Sequence, residues 1–152
     1  MTDLPKKSIE ELAALFVSGH LAALEAYRAK DIPRHNRWFM RASAAADALV
    51  TRGNEGRTRL DELLRHPSPT VRLDAAAYVL DWAPNEAIPV IEKIMLWADD
   101  DRTEHLFGES MNVGMSSETL LAEHYDVDIL DVRNFVRAKY GLPPKESSRD
   151  PL

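Results

Sequence analysis

The sequence predicts an all-α domain, a short right-handed solenoid of stacked helical pairs with a C-terminal helical extension. Apolar residues recur every three to four positions over most of the chain. No segment alternates apolar and polar residues, the pattern of a half-buried strand. A double-proline corner precedes a helix that is apolar on nearly every side, so neighbouring helices must cover it. Successive helical pairs lie about forty residues apart, a spacing typical of helical repeats.

The first predicted pair comprises a helix from Ser8 to about Lys30 and a helix from about Arg34 to Arg52. Ser8 has a glutamate three residues later, the spacing of a capping box. Asp31-Ile32-Pro33 forms the turn between the two helices, and Gly53 ends the second one. Their inward faces carry the apolar positions Ile9, Leu12, Ala13, Phe16, His20, Leu24 and Tyr27, and then Trp38, Phe39, Ala42, Ala45, Ala46 and Leu49.

The second predicted pair meets at the corner His66-Pro67-Ser68-Pro69. A short helix from Leu60 to Arg65 must end there, because Pro67 cannot continue it. Ser68 caps the next helix and Pro69 suits its first turn. In that fourth helix only Arg72, Asp74 and Asp81 interrupt small and branched apolar residues.

The rest of the chain is patterned less strongly. Ala83-Pro84-Asn85 breaks the chain before a fifth helix from Glu86 to Ala98, and residues 103–114 favour a loop. Ser116 or Ser117 is expected to cap a helix to Tyr125, and Asp128 to cap a last helix to Tyr140. We therefore expect a flexible N-terminus (1–7), a repeat domain (8–98), a helical extension packed on the repeats (99–140) and a disordered tail (141–152).

The composition is that of a water-soluble globular protein, with 45% hydrophobic and 29% charged residues. Cysteine is absent, which excludes disulfides and thiolate metal sites. The first residues lack the apolar core of a signal peptide, and no apolar run reaches membrane-spanning length. We therefore expect a cytoplasmic bacterial protein that does not act at a membrane.

The net charge of −6 conceals an acidic block. Residues 74–131 carry two basic residues, Lys93 and Arg102, against 14 acidic ones, whereas the flanking segments are both basic. Such a block would repel phosphate and attract a basic partner. The simpler explanation, which we favour, is solvation of an exposed helical edge.

Two resemblances follow from these residues. The core Pro-x-Val-Arg-x-x-Ala-Ala, beginning at Pro69, resembles a HEAT repeat. Together with Arg34-His35-Asn36-Arg37 and the Arg52-Gly53 turn, residues 8–98 resemble bacterial proteins of the domain of unknown function 2019 family. The resemblance implies an α-helical superhelix used for binding and implies no catalytic residues. In HEAT-like units, residues at the positions of Arg72 and Asp74 often form ion-pair ladders between repeats.

Motifs for catalysis or metal binding fail on inspection. The five histidines include no pair four residues apart, and His20 fits a hydrogen-bonded core residue better than a ligand. Gly108-Glu109-Ser110-Met111-Asn112 lacks the last glycine of a nucleophile elbow and a preceding strand. The segment from Asp126 lacks the central glycine and final glutamate of a calcium loop. We expect no metal, no cofactor and no enzymatic activity.

Two stripes and one acidic cluster are the candidate partner-binding residues. On the second helix, three arginines share a face with a tryptophan; on the fourth, two aspartates share one with a tyrosine beside a tryptophan. If the second helix of each pair lines the inner surface of the solenoid, both stripes face one groove and could bind a partner there. The alternative, to which we give equal weight, is that the tryptophans are buried and that the charged residues pair with each other across the helices. The residues are Arg34, Arg37, Trp38 and Arg41, then Asp74, Tyr78, Asp81 and Trp82, with Asp99, Asp100 and Asp101 as the cluster.

The function predicted from these features is protein–protein interaction without catalysis. The partner is expected to have a basic surface, and one specific hypothesis is an immunity or antitoxin-like inhibitor. The alternative is nucleic-acid binding through the arginine stripe or through Leu121–Arg137, which resembles a helix-turn-helix hairpin. Nucleic acid is the less favoured partner, because that hairpin has Asp126 at its turn and opens its second helix with acids. An enzyme using the Asp99–Asp101 cluster and Glu104 ranks lowest.

Overall fold

The computed structural model describes residues 3–100 and 108–145, and this part of the chain is helical without a strand. The all-α prediction is confirmed. A turn of 3-10 helix, Leu4–Lys6, precedes the α-helices, which are α1 (Ile9–Arg28), α2 (Ile32–Thr51), α3 (Asn54–Leu63), α4 (Pro69–Val79), α5 (Pro84–Asp100), α6 (Glu109–Tyr125) and α7 (Val132–Lys139). None of these helices combines the length and apolar character that crossing a membrane requires.

Helices α1 and α2 form the most extensively packed pair. The predicted cap at Ser8 is confirmed, because the Glu11 N–H donates to the Ser8 hydroxyl at 3.1 Å. The Glu11 carboxylate accepts from the Ser8 hydroxyl at 3.3 Å rather than from the Ser8 backbone N–H of a full capping box. Gly19 lies where the two helices cross. A Cβ at Gly19 would stand 2.9 Å from the Cβ of Ala42, so the absence of a side chain lets the helices approach closely.

Helix α3 begins six residues earlier than the predicted Leu60. Its first turns are polar and bury only Gly56, so no apolar pattern reveals them in the sequence. Gly53, with φ of 72°, turns the chain sharply out of α2. A Cβ at Gly56 would overlap the carbonyl oxygen of Leu49, so this glycine permits direct contact between the backbones of α2 and α3.

Helix α4 lies at the centre of the fold, as its apolar surface predicted. It packs against α1, α3, α5 and α6. The predicted cap is confirmed, since the Ser68 hydroxyl accepts the Val71 N–H and Pro69 occupies the first turn. At Arg72, the expected ion pair between repeats does not form within the described residues. The Arg72 guanidinium donates to the carbonyls of His66 and Pro67, at 2.9 and 3.0 Å, and thereby clamps the proline corner.

Helices α6 and α7 each begin at a residue other than the predicted one. Helix α6 begins at Glu109, so Gly114 lies inside a helix, and Ser117 donates to the Val113 carbonyl rather than capping. Helix α7 begins at Val132, because Asp128 caps the turn before it by accepting the Leu130 N–H at 2.8 Å. Residues 101–107, which include part of the predicted loop, lie outside the described residues.

Both described ends of the chain are bound by arginines, Arg52 directly after α2 and Arg137 in α7. The Arg52 guanidinium donates to the carbonyls of Leu4, Pro5 and Lys7 within the segment expected to be flexible. At the other end, Arg137 donates to the Pro143 carbonyl at 2.7 Å within the expected tail. The remaining residues of these two segments, 1–2 and 146–152, lie outside the described part of the chain.

Candidate functional site

The proline corner directs one face of α4 toward a cavity bounded by α1, α2, α4 and α6. Residues four apart on a helix share a face, so Thr70 and Asp74 both reach the cavity wall. The cavity has a volume of about 290 Å³. Its other polar lining residues come from all three remaining helices: His20, His35, Asn36, Asn112 and Ser116.

A pair formed by the buried His20 and the half-buried Asp74 makes up one wall of this cavity. His20 Nδ1 lies 2.8 Å from Asp74 Oδ2, and because a carboxylate only accepts, the ring donates its Nδ1 proton. The rings of Phe16 and Phe39 stand edge-on to the imidazole, with centroids 4.5 and 5.3 Å away. His20 is therefore held in one orientation by three side chains.

The second ring nitrogen of His20 has no hydrogen-bond partner within the described residues, although it is buried. An unsatisfied buried polar atom typically costs about 1–3 kcal/mol. With the proton on Nδ1, the neutral imidazole presents a lone pair at Nε2. The Nε2 acceptor of His20 therefore makes no hydrogen bond that would stabilise the described part of the fold.

A second histidine, His35, lines the same cavity. Its Nδ1 lies 2.8 Å from the Ala23 carbonyl oxygen, so the ring donates there and its Nε2 becomes the acceptor in the neutral form. A second carboxylate lies just behind the wall, because the Thr70 hydroxyl donates to Glu109 at 2.7 Å. Asp74 and Glu109 contact an imidazole and hydroxyls, none of which is a permanent cation.

The polar groups around this cavity offer an aspartate-oriented imidazole and several hydrogen-bond acceptors. An aspartate-oriented imidazole can act as a base, but nucleophilic catalysis also requires a hydroxyl hydrogen-bonded to it. Ser116 lines the cavity, yet its hydroxyl makes no such bond in the described structure. Residues 3–100 and 108–145 also contain no group of three side chains that could hold a metal ion. The cavity is therefore equipped to accept hydrogen bonds from a ligand.

The predicted arginine stripe lies on a different face of α2 from the cavity. Arg34, Arg37 and Arg41 are exposed, and the Arg41 guanidinium stacks over the half-buried Trp38 ring at 5.0 Å. At 100° per residue, this stripe points away from the side of α2 that carries His35 and lines the cavity. It remains available to solvent.

The predicted stripe on α4 is mostly engaged within the fold. Asp74 binds His20, while the Tyr78 hydroxyl donates to the Ser43 carbonyl at 3.3 Å. Burial raises the pKa of Tyr78. Trp82 Nε1 donates to Asp61 at 2.9 Å, and Asp81 is exposed. The structure therefore brings Asp74 to the cavity but does not assemble the two stripes in one groove.

Asp99 and Asp100 of the predicted acidic cluster bind cations of residues 133–145. Asp99, whose side chain is 6% exposed, lies 3.1 Å from Arg133, 3.2 Å from Arg137 and 3.5 Å from Lys145. Lys145 also contacts Asp100 at 2.7 Å. Asp101 lies outside the described residues. Asp99 is thus committed to the chain's own cations.

The terminal hairpin uses its cations in the same way. Arg133 binds Asp99 and Arg137 does the same, while Lys139 lies 2.9 Å from Glu92. Asp126 adopts the left-handed conformation, with φ of 53°, at the turn where a helix-turn-helix has glycine. The three cations that could contact phosphate are bound to carboxylates, so this hairpin has the contacts of a structural element.

Sequence reasoning found Asp74 but missed most of the cavity. His20 was identified as a hydrogen-bonded core residue, which is confirmed, but its buried Nε2 was not foreseen. His35, Asn36 and Asn112 were not singled out as cavity residues. Asn36 belongs to the segment that carries the family resemblance, and that was the available signal.

Comparison with known proteins gives two matches. The chain is similar to the crystal structure of the protein RPA1889 from Rhodopseudomonas palustris, with 30% sequence identity and a TM-score of 0.64, over 79% of this chain and 93% of that one. No match is found among curated proteins. The profile of the domain of unknown function DUF2019 matches residues 10–102, which include all of α1–α5 but Ile9. The chain therefore belongs to the DUF2019 family.

Proposed function

We propose that this protein is a non-enzymatic protein-binding module, and that its partner contacts the exposed half of α2. We call this the α2 surface: Arg34, Arg37, Trp38, Met40 and Arg41. The observation that carries the proposal is Met40, which is 70% exposed beside the three exposed arginines. Covering this large apolar side chain with a partner removes its surface from water, which contributes favourably to the free energy of binding.

The composition of the α2 surface supports a protein partner. Arginine, methionine and aromatic residues are the types enriched at protein interfaces, and stacked Arg and Trp are frequent energetic centres. The exposed Phe39 lines the cavity on another face of α2, so Met40 is the exposed apolar side chain that the α2 surface itself contributes. The segment Ile32–Arg41 contains no acidic residue, and we infer that the patch facing it carries carboxylates.

We also propose that the helices form a HEAT-like superhelix of stacked helical pairs. It is supported by the sequence of paired helices and by the central helix after the proline corner. The basic partner surface expected from the acidic block remains a prediction, and exposed acids of the block such as Asp81 and Glu86 are available to it. A cytoplasmic location remains a prediction from the sequence.

An immunity or antitoxin-like role is the most specific form of this proposal. Its support is the small size, the acidic composition and the absence of recognisable catalytic motifs, and the argument is one of analogy. Co-expression with the product of an adjacent toxin-like reading frame should rescue growth if this role is right. Unchanged toxicity in the presence of abundant folded protein would contradict it.

The α2 surface is tested by comparing capture of proteins from the native host. A Met40→Asp and Arg37→Glu double variant should lose a protein that the wild type retains. Leu130→Asp is the matched control, because Leu130 is an exposed apolar residue far from α2 in the sequence. The captured protein must then bind the purified wild type directly. Equal capture by all three proteins would overturn the assignment of the α2 surface.

Nucleic-acid binding remains the second candidate, because Arg34, Arg37 and Arg41 lie exposed on one helix face. A gel-shift titration of duplex DNA at several salt concentrations tests it. Affinity that falls steeply with salt, with a slope reduced by the triple arginine-to-glutamine variant, would favour nucleic acid over protein. No retardation at low salt would exclude this candidate.

A further inference from the structure

The cavity between α1, α2, α4 and α6 has a lining rich in hydrogen-bond acceptors. His20 donates Nδ1–H to Asp74 and His35 donates Nδ1–H to the Ala23 carbonyl, so each neutral ring presents Nε2 as an acceptor. The Nε2 of His20 is buried and has no partner in the described part of the protein. Side-chain oxygens of Asn112 and Ser116 add further acceptors on α6.

The charge of the lining favours a cation. Asp74 contributes a carboxylate, and no lysine or arginine lines the cavity among the described residues. Asp74 contacts His20, which in its neutral form leaves the negative charge uncompensated. Glu109 adds a second carboxylate one hydrogen bond behind Thr70. An anionic ligand would meet like charge here, whereas a cation would not.

We propose that this cavity binds an alkylammonium group, with its N–H donors directed to the Asp74 carboxylate and the imidazole nitrogens. The volume of about 290 Å³ is at the lower limit of ligand pockets, which suits a short alkyl chain with one charged end. The exposed ring of Phe39 lines the same space and can contact the alkyl chain or the ammonium group. The proposal does not depend on the α2 surface.

Two sources could supply this chemistry, a free amine or a lysine side chain of a protein. The imidazole nitrogens of His20 and His35 report directly on occupancy through their NMR chemical shifts. Titration with n-butylamine at constant neutral pH should shift both rings. The matched neutral probe is n-butanol, and we expect the imidazole shifts to report an affinity for n-butanol at least about tenfold lower than for n-butylamine. Equal binding of the alcohol would overturn the requirement for charge.

Variants locate the site. Asp74→Asn should weaken n-butylamine binding about tenfold or more, while Asp81→Asn, an exposed aspartate on the same segment, should leave it unchanged. Because Asp74→Asn could also loosen the fold, His35→Gln serves as a second variant that leaves the His20–Asp74 pair intact and should weaken binding several-fold. Unchanged affinity in His35→Gln and Asp74→Asn, or no imidazole shift at millimolar amine, would overturn the proposal.

A blocked lysine, with its backbone amine and carboxyl capped as amides, distinguishes the two sources. Tighter binding than n-butylamine identifies a protein side chain as the ligand. Equal or weaker binding identifies a free small amine. Either result supports the cavity as an alkylammonium site, whereas binding of neither probe overturns it.

Discussion

Glu92 holds the last helix on the body of the protein, and replacing it with glutamine should lower the stability substantially. Its carboxylate is 0% exposed and receives four hydrogen bonds. Lys139 Nζ lies 2.9 and 3.0 Å from the two carboxylate oxygens, the Tyr125 hydroxyl at 2.8 Å and the Tyr140 hydroxyl at 3.1 Å. One residue of α5 thus organises α6, α7 and the residue after α7.

The magnitude follows from these contacts. Glutamine preserves the size of the side chain and one acceptor oxygen, but it removes the charge and the second oxygen. Hydrogen bonds to a charged group contribute about 1.5–3 kcal/mol each. Lys139 is 48% exposed and regains hydration when released, so the lower part of that range applies. We expect Glu92→Gln to reduce the free energy of unfolding by about 2–3 kcal/mol, or roughly 4–12 °C in Tm.

Urea denaturation followed by circular dichroism measures this change. Asp81→Asn is the control and should alter the free energy of unfolding by less than about 0.5 kcal/mol. A double-mutant cycle sharpens the test, because Lys139→Met leaves a buried carboxylate without its cation only when Glu92 is present. The two substitutions should therefore couple by about 1 kcal/mol or more. The reasoning would be refuted if the two substitutions had additive effects on the free energy of unfolding. It would also be refuted if Glu92→Gln alone changed that free energy by less than about 0.5 kcal/mol.

The same cluster predicts how stability changes in alkali. The hydrogen bonds that the Lys139 ammonium donates to Tyr125 and Glu92 raise the pKa of Lys139, and burial raises the pKa of Tyr125 and Tyr140. The folded protein therefore keeps protons that the unfolded chain releases. Stability should fall as the pH rises above about 10, and the slope should be shallower in Glu92→Gln. Identical slopes in the two proteins would contradict this account.

Three further predictions test the corner, the helix contact and the C-terminal anchor. Burial lowers the pKa of His66, whose Nδ1 accepts the Ser68 N–H. The Tm of the wild type should therefore fall relative to that of His66→Asn as the pH drops below about 6.5. A difference in Tm that stays constant with pH would contradict this prediction. Gly56→Ala should cost about 3 kcal/mol or more in urea denaturation, because the new Cβ meets the Leu49 carbonyl, and a cost below about 1 kcal/mol would contradict the contact. Asp99→Asn should lower hydrogen-exchange protection in α7 but not in α1–α4, whereas a uniform decrease would show global destabilisation instead.

The features predicted correctly are those that depend on neighbours in the sequence. Ser8 and Ser68 cap helices because a side-chain oxygen reaches an N–H three residues on, which the spacing alone reveals. The start of α6 was wrong because Gly108, at its N-cap, offers no side chain to recognise. The early turns of α3 were missed because their contact with α2 requires the absence of a side chain at Gly56.

The candidate site could be predicted only in part, because it depends on pairs that are distant in the chain. Asp74 was singled out from the polarity it brings to an apolar helix, yet its partner His20 belongs to α1. No local spacing connects them. The direction of the arginine stripe likewise follows from how α2 packs, which helical periodicity alone does not establish.

The acidic block acquires a different meaning once its partners are known. Glu92 and Asp99 bind lysine and arginine from residues 132–145, so part of the block is paired with the basic C-terminal segment of the same molecule. From the count of charges along the sequence, both were expected to be surface charges, either solvated on an exposed helical edge, as we favoured, or available to a basic partner. Asp74 differs because the side chain it contacts is an imidazole, which need not carry a charge. At the cavity, no lysine or arginine among the described lining residues offsets the Asp74 carboxylate, and that is the basis for proposing a cationic ligand there.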